Sequence, residues 1–144
     1  MIRALTLSDV PGLLAVQRAC YGDGLIESAE TFQARLTSPA NSSLAVERQG
    51  RLCAYAAACR SRLGRITPLH GDFEPAPEPD TLYLHDLAVL PAFAGQGLAQ
   101  ALLTALLAQA RADGLRHSAL VAVQGAERYW SRRGYTPRVL QANG

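Results

Sequence analysis

The chain has 144 residues, 49% hydrophobic and 18% charged, a mixture that builds the core of one globular domain over residues 1–144. Fourteen basic residues, all arginine, against twelve acidic ones leave a formal net charge of +2, which does not mark a nucleic-acid binder. No apolar run approaches the ~20 residues that span a bilayer, and Asp9 arrives before a signal-peptide core can form.

Cys20, Cys53 and Cys59 are an odd count without a CxxC pair, which excludes a disulfide framework and gives no metal-ligand spacing. Cys53 and Cys59 read as small buried hydrophobes. These features predict a reduced, cytoplasmic protein without a metal. Arg60, Arg62 and Arg65 read as a solvated strand end.

Ile2–Leu5 is a short strand. Ser8 can cap a helix running to about Cys20, with Pro11 in its first turn. A second helix over Ala29–Leu36 stops before Pro39. Leu44–Arg48 and Leu52–Arg60 are strands joined across Gln49-Gly50, a hairpin signal. Gly64–Asp80 holds four prolines, two glycines and four acids, which predicts a long surface loop. Thr81–Val89 is a strand, followed by a turn and a helix from about Gly97 to Asp113 that Gly114 ends. His117–Val123 is an almost wholly apolar strand, expected to be buried on both faces. Ala126–Arg133 is a short helix and Tyr135–Leu140 a last strand. The strand–helix–strand unit over Thr81–Val123 predicts a parallel pair with a right-handed crossover; the hairpins make the remainder mostly antiparallel.

The turn Ala94-Gly95-Gln96-Gly97 admits several readings. A P-loop NTPase needs a lysine, and the chain has none. A dinucleotide fingerprint wants glycine where Gln100 stands and an acid where Gln124 ends the next strand. The third reading wraps the N–H groups of Gly95 to Ala99 around a pyrophosphate at a helix N-terminus. The plain alternative is a tight turn capping a core helix.

The succession of a strand, "LAVLP", "GQGLA", an amphipathic helix, a buried strand and "AERYWSRRGY" resembles the GNAT superfamily of N-acetyltransferases. Val89 and Pro91 match the family's strand end. Gly97 and Ala99 match the last two positions of its turn [QR]-x-x-G-x-[GA]. Ala126, Tyr129, Trp130, Gly134 and Tyr135 fall on its later Ala-x-x-Phe-Tyr-x-x-x-Gly-Phe. The resemblance implies an α+β fold with a mixed, mostly antiparallel sheet of about six strands and about four flanking helices. A splayed parallel strand pair would form the acyl-CoA cleft. It implies transfer of an acetyl (acyl) group from acetyl-CoA to a primary amine by direct attack on the thioester. Pantetheine would lie along the main chain of Leu87, Ala88 and Val89. Ala94, Gly95, Gln96, Gly97, Leu98 and Ala99 would hold the pyrophosphate, with Gln124 and Trp130 as further cofactor contacts. The acceptor would be a small-molecule amine or a peptide, and a homodimer is compatible with the pattern. Two other classes stand beside this one: a CoA-binding module without catalysis, and a dinucleotide-dependent oxidoreductase.

Acyl transfer to an amine requires loss of a proton from an ammonium with a pKa of about 10.4. His85 and Asp86 are adjacent ionisable residues on an otherwise apolar strand, and Asp86 is the leading candidate for the base. They point to opposite faces unless a bulge intervenes. Glu27 and Tyr21, flanking the break after the first helix, are candidates on the acceptor side, Glu27 as a contact for a cationic substrate. The sequence departs from the family at two places. Trp130 stands where a tyrosine acid is usual, leaving the adjacent Tyr129 as the candidate acid. Ala94 replaces the turn's Gln or Arg, which removes a side-chain contact to phosphate but not the backbone cradle.

Overall fold

The computed structural model describes residues 1–21, 26–65, 67–120 and 130–135. In chain order these form β1 (Ile2–Ala4), α1 (Val10–Cys20), α2 (Ala29–Leu36), β2 (Leu44–Arg48), β3 (Arg51–Ser61), β4 (Thr81–Val89), α3 (Leu98–Ala112) and β5 (His117–Leu120). The strands make one sheet in the order β1-β2-β3-β4-β5. The first three pairings are antiparallel and the last, across the α3 crossover, is parallel. The described residues thus hold five strands and three α-helices of the expected α+β fold. Most of the expected fourth helix and sixth strand lies outside them, although Trp130 and Ser131 are helical.

Strand β3 sits in the middle and divides the core by alternation. Tyr55, Ala57 and Cys59 face one side, where they meet Leu13 and Val16 of α1 and Phe32 of α2. Ala54, Ala56 and Ala58 face the other, where α3 lays down Leu98, Leu102, Leu103, Leu106 and Ala110. That spacing is one stripe of a helix, and alanines beneath it let the helix lie close to the sheet. All three cysteines are free thiols, with Cys53 and Cys59 buried as expected. Burial pushes the Cys59 thiol up to about 11.

Three expectations are corrected, the first being that β5 is not buried on both faces: His117 is exposed and Ser118, Ala119 and Leu120 are half-buried. Helix α1 begins at Val10 rather than after a Ser8 cap, because Leu7–Asp9 first makes a 3-10 turn. The Asp9 carboxylate, a stronger acceptor than a serine hydroxyl, takes the Thr6 N–H at 2.8 Å and Arg3 on both oxygens at 2.7 Å. The long connection before β4 is also more than a surface loop. Its Phe73 is 1% exposed within the α1 side of the core. Its main chain is held there because Gly71 C=O accepts from buried Arg35 Nε at 2.7 Å.

The β2–β3 hairpin closes as its sequence suggests. Gln49 and Gly50 both have positive φ, 55° and 72°, as a two-residue turn matching the strand twist requires. Arg48 and Arg51 stand opposite each other at its base. No helix among the described residues is long and apolar enough to cross a membrane.

Candidate active site

The site is centred on an irregularity in β4. Ala57 pairs with Asp86, but the next residue, Ala58, pairs with Leu84, so His85 is an extra residue in the ladder. Such a bulge turns the alternation over. Leu82 and Leu84 lie on the α3 side before it, and Leu87 and Val89 lie there after it. His85 and Asp86 therefore share the α1 side, despite being neighbours in sequence.

Asp86 is clasped by two tyrosines from other elements. Tyr21, at the C-terminal cap of α1, donates its hydroxyl to Oδ1 at 2.5 Å. Tyr55, on β3, donates to Oδ2. Burial pushes the Asp86 carboxyl above its ordinary range. The two tyrosine hydroxyls and nearby His85 oppose that shift, and Glu27 adds to it. Burial and the Asp86 charge in turn hold both tyrosine hydroxyls well above the usual phenol value. The protons of this triplet thus reside on the tyrosines, and the carboxylate is a better proton acceptor than a solvated one.

His85 belongs to a second, connected cluster. Its Nε2 lies 3.3 Å from Glu27 Oε1, and its ring sits 6.0 Å from those of Phe73 and Tyr83. Its buried Nδ1 has no hydrogen-bond partner among the described residues. Glu27 is fixed from every side. Arg35 donates from Nη1 at 2.7 Å and Nη2 at 2.5 Å, His70 N–H donates at 2.7 Å, and the Gln17 side-chain amide bonds the Glu27 main chain twice. Burial would raise the Glu27 carboxyl, but His85, Arg35 and the His70 N–H outweigh it and hold the carboxyl well below the usual range. Glu27 and Arg35 are only 2% and 1% exposed. The expected cationic contact at Glu27 is therefore met from inside the protein, by Arg35.

The glycine turn lies where β4 hands over to α3. Gly95 and Gly97 have φ of 78° and 76°, a region that favours glycine, and a Cβ at either would meet nothing within 4 Å. Gly97 caps α3, with the Ala101 N–H bonding its carbonyl at 3.0 Å. The preceding N–H groups are the open donors of a helix start. Ala94, Gly95, Gln96 and Gly97 are exposed, Ala99 is half-buried and Leu98 is anchored in the core. This open, positive-φ turn at a helix N-terminus fits a phosphate group. β4 runs on to Val89, with Leu87, Ala88 and Val89 paired to Ala56, Tyr55 and Ala54 of β3 on its way to the turn. Trp130 packs against the same cluster as Leu87 and Val89, its ring 5.7 Å from that of Tyr135. The Tyr135 hydroxyl is 2.5 Å from that of Ser118. Tyr129 and Gln124 lie outside the described residues.

The family model described as "Acetyltransferase (GNAT) family" matches residues 11–135. The chain belongs to the GNAT family. No curated protein matches its sequence, whereas solved structures match its fold over nearly its whole length. A tetramutant of the BH1408 protein from Bacillus halodurans has a TM-score of 0.74 at 18% identity, covering 98% of this chain and 96% of that one. A ribosomal-protein-alanine N-acetyltransferase from Brucella melitensis has a TM-score of 0.72 at 16% identity, covering 99% and 94%. An aminoglycoside N-acetyltransferase AAC(6')-Iy solved in complex with CoA has a TM-score of 0.70 at 17% identity, covering 98% and 91%. Membership in the GNAT family sets aside the dinucleotide-dependent reading of the turn.

Three residues at this site are absent from the sequence-level candidates. Tyr55 is one aromatic in a long apolar strand, Arg35 a basic residue in the last turn of a short helix, and Arg48 a strand end. Only the fold brings them to Asp86, Glu27 and Gln96.

Proposed function

We propose that this GNAT protein transfers an acetyl or closely related acyl group from acyl-CoA to the amine of a small molecule or peptide. The observation that carries the reading is the Asp86 carboxylate clasped by Tyr21 and Tyr55 on the strand that leads into an open glycine turn. Acyl-CoA supplies the thioester whose acyl carbon an amine attacks. The main chain of Leu87, Ala88 and Val89 would hold the pantetheine and residues 94–99 the pyrophosphate, with Gln124 and Trp130 completing the contacts.

The protein's own task is to take a proton from the incoming ammonium. Asp86 is the acceptor. Tyr21 is the conduit: its hydroxyl takes a proton from the amine side and passes its own to Oδ1, so no phenolate forms. Tyr55 fixes the second oxygen. His85 meets Glu27 through Nε2, and its Nδ1 edge has no partner among the described residues. Glu27 and Arg35 act through His85 by holding its ring, so we assign Glu27 to positioning rather than to substrate contact. The departing thiolate has a pKa near 8.5, which asks little of an acid at Tyr129. Free, unpaired cysteines fit a reducing, cytoplasmic setting.

The test is turnover of acetyl-CoA with a panel of amines, following thiol release, for the wild type and Asp86→Asn. Amine-dependent release that the variant loses supports the reading. Binding of acetyl-CoA with no amine-dependent release would leave a CoA-binding module instead.

A further inference from the structure

The turn's weakness is Ala94, which carries no side chain that can meet a phosphate. A cation nevertheless stands at the turn, delivered by another element. Arg48, the last residue of β2, donates from Nη1 to Oε1 of Gln96, the residue between the two glycines. A guanidinium has five N–H donors, and Gln96 engages one of them. Neither Arg48 nor Arg51 has a carboxylate within 4.0 Å among the described residues. The neighbouring Glu47 is bonded at 2.7 Å to Arg3 instead. Arg48 and Arg51 are direct cross-strand partners. Like charges facing each other across a hairpin repel, and an anion shared between them removes that penalty.

We propose that Arg48 is the side-chain cation for the pyrophosphate of acyl-CoA, held at the rim of the turn by Gln96 and backed by Arg51. This rests on the proposed acyl-CoA binding at the same turn. The arginine fork suits two phosphate oxygens at once. The hairpin thereby supplies what position 94 lacks.

Calorimetric titration of the full chain with CoA and with dephospho-CoA, at low and high salt, tests this without any acceptor. Arg48→Ala should weaken both ligands by a similar factor, roughly three- to tenfold at low salt and less at high salt, as for an exposed charged contact. Arg48→Lys should retain part of the affinity, and Arg51→Ala should lose less than Arg48→Ala. Unfolding midpoints of the free variants, all changed at exposed positions, should not fall below the wild-type value. Wild-type binding with unchanged affinity in Arg48→Ala would overturn this inference and leave the cofactor reading standing. A loss confined to CoA, with dephospho-CoA unaffected, would also overturn it, because the cation would then serve the 3′-phosphate. A wild type that binds neither ligand at millimolar concentration would instead overturn the cofactor reading itself.

Discussion

The phenolic oxygen of Tyr21, at the cap of α1, lies 2.5 Å from Oδ1 of Asp86 on β4. Tyr55 reaches the other oxygen of the same carboxylate. Both hydroxyls favour the charged form of Asp86 and so hold its raised pKa down. Removing either should raise that pKa further and move the acidic limb of the rate profile to higher pH. Only Tyr21→Phe should also lower kcat at the pH plateau, by about tenfold or more, because it alone interrupts the proposed proton path. Equal plateau rates for the Tyr21→Phe and Tyr55→Phe variants would remove Tyr21 from that path.

Asp86→Asn should lower kcat by roughly a hundredfold or more, the usual scale for losing a general base, with little change in acetyl-CoA affinity. His85→Gln should be milder. Steady-state kinetics beside ligand titrations separate the two effects. Small, equal losses at both positions would mean that the amine arrives already deprotonated.

Glu27→Gln leaves a buried guanidinium facing a neutral amide, and should destabilise the fold by about 3–5 kcal/mol. The carboxyl is held below its ordinary value of about 4.3. Its contribution is therefore fully present above that pH and is lost as pH falls toward the folded-state value. Urea denaturation between pH 7 and pH 3 should show a steep loss for the wild type below about pH 4.3 and a shallower one for the variant. Parallel curves would show that Glu27 is not the group being titrated.

Acetyl-CoA should raise the melting temperature, because a ligand at a hundredfold excess over Kd stabilises the folded state by about 2.7 kcal/mol. Scanning fluorimetry at graded concentrations checks this. No shift at millimolar acetyl-CoA would contradict the cofactor assignment.

Ala94→Arg restores a cation at the turn itself. In an Arg48→Ala background it should tighten acetyl-CoA binding by about three- to tenfold, and in the wild type by clearly less, since Arg48 already faces the turn. A double-mutant cycle of dissociation constants measures the coupling. Additive effects would mean that the two side chains serve different groups.

The strand, turn and helix over residues 81–112 were legible because period, glycine placement and the apolar stripe all point the same way. The cofactor-side candidates from Leu87 to Ala99 follow from that segment, whereas Gln124 and Trp130 come from the later part of the chain. What one strand's own sequence does not encode is its pairing. The bulge at His85 exists only relative to β3, so the shared face of His85 and Asp86 was an open alternative. Tyr55 is 31 residues from Asp86, and no local period links them. Glu27 read as a contact for a cationic substrate because its internal partners come from α2 and from the long connection, whose Pro-rich composition hides the buried Phe73.

β4 uses nine residues, Thr81–Val89, to match the eight of β3 from Ala54 to Ser61. Without His85 the ladder would close unbroken, Leu84 and Asp86 would keep their faces, and the carboxylate would lose its imidazole neighbour without a single substitution. The proton chemistry on this face is therefore sensitive to strand length as well as to residue type. A deletion that makes the sheet more regular is expected to make the site poorer by one ionisable group.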